Sequence, residues 1–181
     1  MLLVVDNGSV YTSSLLKCMQ NLGVDFEHHV YSDVPQIGLD NYSSIILSGR
    51  RKNDSQMNAI NSKLVLHSLD KGKPLLGICY GAEILALTLG GTIKKMPSPR
   101  HGLHQVQVMA DNPLCNEKIN AFESHSYMVS TLGSTFTQIA SSNDCKFEIF
   151  RYGGKNIFGT QFHPEMSEDG KLLLKQFSSI K

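Results

Sequence analysis

The segment 74–85, Pro-Leu-Leu-Gly-Ile-Cys-Tyr-Gly-Ala-Glu-Ile-Leu, limits the possible folds of this chain more than any other stretch. An apolar run ends at Cys79, and a helix is predicted from about Ala82 to Leu89. The pattern Gly77-x-Cys79-x-Gly81 is typical of a nucleophile elbow, a sharp strand-to-helix turn with an exposed side chain at its apex. Glycines fit there because strand and helix approach closely. We therefore predict that Cys79 is a nucleophile, and that the start of the following helix favours its thiolate form.

The first half of the chain alternates short apolar runs with segments of helical periodicity. This alternation indicates βα units, and hence an α/β fold with a mainly parallel central sheet and flanking helices. Ligands of such sheets bind at the carboxyl ends of the strands. The predicted strands are Leu2–Val5, Asp25–Val30, Ile45–Leu47 and Lys73–Ile78. The predicted helices are Thr12–Leu22 and Asn58–Leu69, and residues 51–56 are predicted as a polar surface loop before the second helix.

The pattern changes after Gly90-Gly91, where the predicted strands become shorter and turns more frequent. We expect these strands to add antiparallel pairs to the sheet. No repeat or linker interrupts the pattern, so we predict a single domain over residues 1–181. The strands are predicted at Thr92–Lys95, Gln105–Met109, Ile119–Glu123, Phe136–Ala140, Phe147–Arg151 and Ile157–Gln161, with a closing helix at Gly170–Ile180.

Composition excludes several classes of function. The formal net charge is +1 and no basic stripe is present, which argues against nucleic acid as a partner. The four cysteines are far apart and form no C-x-x-C pair, so neither a disulfide framework nor a cysteine zinc site is predicted. The apolar start is too short for a signal peptide, and no run approaches membrane-spanning length. We therefore expect a cytoplasmic protein without membrane contact.

A nucleophilic cysteine needs a base, and Gln161-Phe162-His163-Pro164-Glu165 provides a candidate directly after a predicted strand. Pro164 disfavours helical backbone at His163, so the side chains of His163 and Glu165 point the same way. Glu165 can then fix the imidazole tautomer while the other ring nitrogen takes the thiol proton. Cys79, His163 and Glu165 are also possible metal ligands, but an elbow presents a lone nucleophile, so no metal is predicted.

The chain resembles the triad-type (class I) glutamine amidotransferases along essentially its full length. The resemblance rests on residues 75–81 (Leu-Leu-Gly-Ile-Cys-Tyr-Gly), 46–49 (Ile-Leu-Ser-Gly) and 159–165 (Gly-Thr-Gln-Phe-His-Pro-Glu). It implies the flavodoxin-like fold of that class. Within the class, residues 4–9 and 124–125 are most similar to the amidotransferase subunits of GMP synthases. Subunits of the anthranilate synthase and aminodeoxychorismate synthase type are the nearest rivals.

The resemblance implies that glutamine is the substrate and is hydrolysed to glutamate and ammonia through a γ-glutamyl thioester on Cys79. Backbone N–H groups of Tyr80 and of Arg50, the residue after Gly49, would form the oxyanion hole. Backbone at Ser126 and Tyr127 would hold the amino-acid end of glutamine. Ammonia would pass to a separate synthetase, in the GMP synthase case an ATP-pyrophosphatase subunit that converts XMP to GMP. This chain would need no cofactor, since ATP and Mg²⁺ would bind the partner.

Two positions depart from the family pattern. Arg50 stands where the family usually has a second glycine, and Glu83 stands where a substrate-holding glutamine is usual. An ionised Glu83 would repel the α-carboxylate of glutamine. Three functions therefore stay open: an active ammonia donor, a hydrolase of other γ-glutamyl substrates, and a regulatory subunit with weakened catalysis. The function of cysteine peptidase is disfavoured because Tyr80, not histidine, follows the nucleophile. His125 fits either a glutamine-binding or partner-binding role or a surface loop.

Overall fold

The computed structural model describes residues 1–180, which form a nine-stranded sheet with helices on both faces. The order of the strands across the sheet is β2-β1-β3-β4-β9-β8-β7-β5-β6. The strands are β1 (Leu2–Asn7), β2 (Phe26–Val30), β3 (Ser44–Arg50), β4 (Leu75–Ile78), β5 (Thr92–Val108), β6 (Lys118–Thr131), β7 (Phe136–Ser141), β8 (Ile149–Tyr152) and β9 (Ile157–Thr160). The helices are α1 (Thr12–Asn21), α2 (Ser55–Lys71), α3 (Tyr80–Thr88) and α4 (Glu168–Ser178).

The sheet has a parallel half and an antiparallel half. Strands β2, β1, β3, β4 and β9 pair in parallel, whereas β8, β7, β5 and β6 continue the sheet with antiparallel pairs. The α/β fold with antiparallel additions is therefore confirmed. Strand β9 comes last in the chain but lies beside β4, with Ile78 paired to Thr160. The carboxyl ends of β4 and β9 consequently meet at one edge of the sheet.

Both faces of the central parallel strands are buried. In β1, Leu2 and Val4 pack into one core cluster, and Leu3 and Val5 pack into the other. Helices α1 and α4 cover the first face, while α2 and α3 cover the second. Strands β1, β3 and β4 therefore contain continuous apolar runs without polar alternation, whereas the edge strand β2 is partly exposed and contains polar residues.

The β5–β6 hairpin is longer than the sequence predicts. Strand β5 is continuous, where the sequence indicated two short strands, and β6 runs beyond Glu123 to Thr131. Pro97 and Pro99 lie in a bulge of β5, where the register with β6 shifts between Lys95 and Arg100. A bulge tolerates proline because its residues lie outside the ladder of hydrogen bonds. The pairing resumes beyond it.

Helices α2 and α3 begin earlier than the sequence predicts. Helix α2 starts at Ser55 because Asp54 caps it, with Asp54 Oδ1 accepting a hydrogen bond from Met57 N at 2.7 Å. The prediction of a loop over residues 51–56 is therefore wrong for residues 55 and 56, which belong to α2. Helix α3 starts at Tyr80, so its first residue directly follows Cys79.

No helix within residues 1–180 is both long enough and apolar enough to cross a bilayer.

Replacement of Gly170 by alanine should destabilise the fold. An alanine Cβ at this position in α4 would lie 2.3 Å from the backbone oxygen of Pro164, which cannot swing away as a side chain could. We expect the free energy of unfolding to fall by about 1–3 kcal/mol, the usual cost of overpacking. The measurement is the urea midpoint. Gly133→Ala is the matched control, because its Cβ would meet nothing within 4 Å. Equal midpoints for the two variants would contradict the close packing.

Candidate active site

Cys79 occupies a strained turn between β4 and α3. Its backbone has φ +51° and ψ −102°, a conformation rare for any residue with a side chain. A Cβ on Gly77 would lie 2.3 Å from the backbone oxygen of Gly81, and a Cβ on Gly81 would lie 2.3 Å from that of Leu47. Neither contact is possible, so both positions require glycine. The structure thus has the geometry of a nucleophile elbow at Cys79.

The Cys79 side chain is buried, and this changes the state of its thiol. Burial and, second, the nearby Glu83 carboxylate raise the pKa of Cys79 well above its ordinary value. The backbone N–H of Tyr80 opposes this rise, but its effect is smaller than that of burial. Burial therefore favours the neutral thiol and opposes the effect predicted for the helix start. The thiolate form at the helix start stays a prediction, and a base beside the sulfur would assist the loss of its proton.

His163 and Glu165 lie at the end of the neighbouring strand. Cys79 N donates to Thr160 O at 2.7 Å, which ties the elbow to β9 three residues before His163. His163 Nδ1 lies 2.8 Å from Glu165 Oε1, and both side chains are buried. When the carboxylate accepts a hydrogen bond from Nδ1–H, the other ring nitrogen carries no proton and can act as a base. Glu165 Oε2 has no hydrogen-bond partner within residues 1–180, so the imidazole is the main partner of this carboxylate.

Gly49 and Arg50 end strand β3 beside this imidazole. A Cβ on Gly49 would lie 2.9 Å from His163 Cε1, so glycine leaves room for the ring. Arg50 pairs with Asn7 and Gly8, and its φ is not positive. Arginine therefore adopts the backbone conformation of this position without strain. The replacement of the family's usual second glycine by Arg50 does not distort the backbone here.

The two departures from the family pattern are in contact with each other. Arg50 Nη2 lies 3.9 Å from Glu83 Oε2, and the guanidinium stacks on the Tyr80 ring at 4.3 Å. Asn58 Oδ1 accepts hydrogen bonds from Arg50 Nη1 at 3.3 Å and from the Tyr80 hydroxyl at 2.8 Å. Burial raises the pKa of Glu83, and the positive charges of Arg50 and His125 oppose that rise. Arg50 thus offsets the charge that Glu83 brings to the site.

A cavity of about 350 Å³ opens beside this ion pair. Arg50, Tyr80, Glu83 and Tyr127 all line it, so four of the predicted substrate-binding residues share one space. Ser126, by contrast, is not among the lining residues; it lies on β6 opposite the bulge of β5.

His125 is buried on β6, two residues before Tyr127, and does not lie in a surface loop. Its Nδ1 is 2.8 Å from Tyr127 O, and its Nε2 is 2.7 Å from Glu123 Oε2. Glu123 is not among the site residues predicted from the sequence. A signal for it exists, because Glu123-x-His125 has the same i, i+2 spacing as His163-x-Glu165, and such residues share one face of a strand.

Within residues 1–180, Cys79, His163 and Glu165 do not form a candidate metal-binding group, whereas one ligand atom each from Glu123, His125 and Glu148 lies within 4.8 Å of the others. None of these last three side chains lines the cavity.

Alkylation of Cys79 should be slow at neutral pH and accelerate into the alkaline range. Because the thiol pKa is raised, the thiolate fraction should grow about tenfold per pH unit and continue to grow above about pH 8.5, the ordinary value. The measurement is the rate of iodoacetamide labelling of the Cys79 peptide by mass spectrometry, with circular dichroism confirming the fold at each pH. A plateau at or below pH 7 would instead reveal a stable thiolate–imidazolium pair.

The comparisons with known proteins agree with this geometry. The family model described as glutamine amidotransferase class-I matches residues 3–178. The glutamine-hydrolyzing GMP synthase subunit of Thermoplasma acidophilum is 32% identical, covering 98% of this chain and 90% of the relative, and that of Thermoplasma volcanium is 33% identical with the same coverage. GMP synthase of Salmonella typhimurium is 29% identical, and the match covers 97% of this chain and 36% of that longer protein.

Solved structures show the same fold. The crystal structure of a GMP synthase subunit from Thermoplasma acidophilum has a TM-score of 0.85 and 30% identity, covering 98% of this chain and 91% of that one. A glutamine amidotransferase from Thermotoga maritima has a TM-score of 0.76 at 20% identity, covering 91% of this chain and 75% of that one, and supports the fold alone. The chain belongs to the class-I glutamine amidotransferase family.

Proposed function

We propose that this protein hydrolyses glutamine through a thioester on Cys79 and delivers the ammonia to a separate synthetase subunit. One observation carries the proposal: a strained elbow presents Cys79 at the end of β4, directly beside the β9 end that bears the His163–Glu165 pair. Nucleophile, base and orienting carboxylate are the three groups that acyl transfer by cysteine requires.

The reaction proceeds by acyl transfer in two halves. His163 takes the thiol proton as Cys79 Sγ attacks the γ-carboxamide carbon of glutamine, and a C–S bond forms. The tetrahedral intermediate collapses when His163 gives that proton to the leaving nitrogen, so the C–N bond breaks and ammonia departs. Water then attacks the thioester carbon as His163 takes a proton from it. The C–S bond breaks, His163 returns the proton to Cys79 Sγ, and glutamate leaves. Glu165 holds the imidazole and stabilises its positive form in both halves.

The oxyanion of each intermediate needs fixed donors. We assign one donor to the backbone N–H of Tyr80, which lowers the pKa of the neighbouring Cys79 thiol, and the second donor to the backbone N–H of Arg50. Loss of one such donor typically costs a factor of about 10²–10³ in kcat. Arg50 also pairs with Asn7 and Gly8 at the end of the sheet. The direction of the Arg50 N–H therefore depends on the backbone conformation of residues 48–51. A docked partner could set that geometry, as loops often gate catalysis.

The names of the relatives indicate the partner. Two relatives that cover almost the whole chain are named as one subunit of GMP synthase, so we propose an ATP-pyrophosphatase partner that uses the ammonia to convert XMP to GMP. ATP and Mg²⁺ would bind that partner and not this chain. Catalysis by a thiol also requires reducing surroundings, and all four cysteines are free, in keeping with a cytoplasmic enzyme of purine biosynthesis.

The test is release of glutamate from glutamine, measured with and without the candidate ATP-pyrophosphatase subunit, XMP and Mg-ATP. We expect activity that rises when the partner is present and is lost in Cys79→Ala, because no other group can form the thioester. Cys115→Ala is the matched control, since this half-buried cysteine lies outside the site and should leave the activity unchanged.

Other outcomes separate the alternatives. Hydrolysis of γ-glutamyl peptides in preference to glutamine would indicate a γ-glutamyl hydrolase. Stimulation by a synthetase of anthranilate or aminodeoxychorismate type would identify another pathway. A folded protein that binds the partner but releases no glutamate would indicate a regulatory subunit.

A further inference from the structure

A second histidine–glutamate pair lies on β6, the strand that also carries Tyr127 of the proposed substrate cavity. His125 Nε2 is 2.7 Å from Glu123 Oε2, and the two side chains are 1% and 0% exposed. His125 Nδ1 donates to the backbone oxygen of Tyr127 at 2.8 Å. Both ring nitrogens are thus engaged, so this imidazole cannot act as a base on a substrate. Its contacts instead fix the strand segment that borders the cavity.

Another buried carboxyl group, that of Glu148, lies beside the pair. Its Oε1 accepts a hydrogen bond from the Ser142 hydroxyl at 2.6 Å. Glu123 Oε1 and Glu148 Oε2 have no hydrogen-bond partner within residues 1–180. Burial and the Glu123 carboxylate raise the pKa of Glu148 well above its ordinary value, which favours the neutral form of Glu148.

The same donor set could in principle ligate a divalent cation. The charge balance argues against this, because Arg100 already brings a positive charge close enough to lower the pKa of Glu148, and His125 brings another. A cation would add to two positive charges in a space from which water is excluded. We therefore treat the cluster as a proton-sharing network and not as a metal site.

The pair connects to the site at three points. Tyr127, whose carbonyl His125 holds, lines the cavity together with Glu83 and Arg50. The positive charge of His125 also favours the ionised form of Glu83. One residue before Glu123, Phe122 O accepts a hydrogen bond from His163 N at 2.8 Å. Strand β6 thus contacts the proposed base at Phe122 and borders the proposed substrate cavity at Tyr127.

We propose that Glu123 and His125 are positioning residues that hold the Tyr127 segment in the shape that accepts the amino-acid end of glutamine. The pair touches no reacting atom and acts through the Tyr127 carbonyl and through Glu83. This inference rests on the proposed function, because it assumes that glutamine occupies the cavity. It assigns a role to two residues outside the Cys79–His163–Glu165 arrangement.

The test compares two reagents that attack Cys79. Iodoacetamide has no amino-acid end. A diazoketone analogue of glutamine has one and must bind the site through it before it reacts with Cys79. In His125→Ala we expect the analogue to label Cys79 about tenfold more slowly or worse, the size expected for a lost charge-assisted hydrogen bond, while the iodoacetamide rate stays within about twofold. In steady state KM for glutamine should rise and kcat should change much less.

His125→Asn is the conservative variant, because its amide nitrogen can still donate to the Tyr127 oxygen. It should restore analogue labelling to within about threefold of wild type, and a thermal melt checks that both variants fold. Equal losses with both reagents, or failure of Asn to restore labelling in a folded protein, would overturn the positioning role. A wild-type protein that reacts with iodoacetamide but not with the analogue would instead overturn the proposed function, and this inference with it.

Discussion

The site depends on the close approach of strand β4 and helix α3 at Cys79. The positive φ of this residue costs on the order of 1–3 kcal/mol, and it persists only because packing on both sides allows no other path. Gly77 and Gly81 make that packing possible, since a Cβ on either would collide with backbone. Strand β9 then lies against the elbow through the 2.7 Å bond from Cys79 N to Thr160 O, which brings the segment of His163 to the same edge.

Buried charge is the second constraint on this structure. The edge of the sheet holds Glu83, Glu123, Glu148 and Glu165, all at most 6% exposed. A buried carboxylate is costly unless a cation or a proton meets it. Arg50 faces Glu83, and imidazoles face Glu123 and Glu165, whereas burial raises the pKa of Glu148 and favours its protonated form. The same burial raises the pKa of the Cys79 thiol, so the proposed reaction needs a base that takes the thiol proton.

Local patterns predicted the elbow, the parallel strands and the His163–Glu165 pair, because each depends on neighbouring residues in the chain. The length of β5 and β6 was not predictable, since prolines that usually break a strand lie here in a bulge. The contact between Arg50 and Glu83 could not be predicted from the sequence either, because only the fold brings these two residues together. Each residue taken alone suggested weakened catalysis. Glu123 was missed although its spacing from His125 carried a signal.

The central claim is that Cys79 carries the acyl group, and the most direct measurement is mass spectrometry of the protein quenched in acid during turnover of glutamine. A γ-glutamyl group on the peptide that contains Cys79, present with glutamine and absent with glutamate, is the result this account predicts. Release of glutamate with no acyl group on Cys79, or with the group on another cysteine, would contradict it.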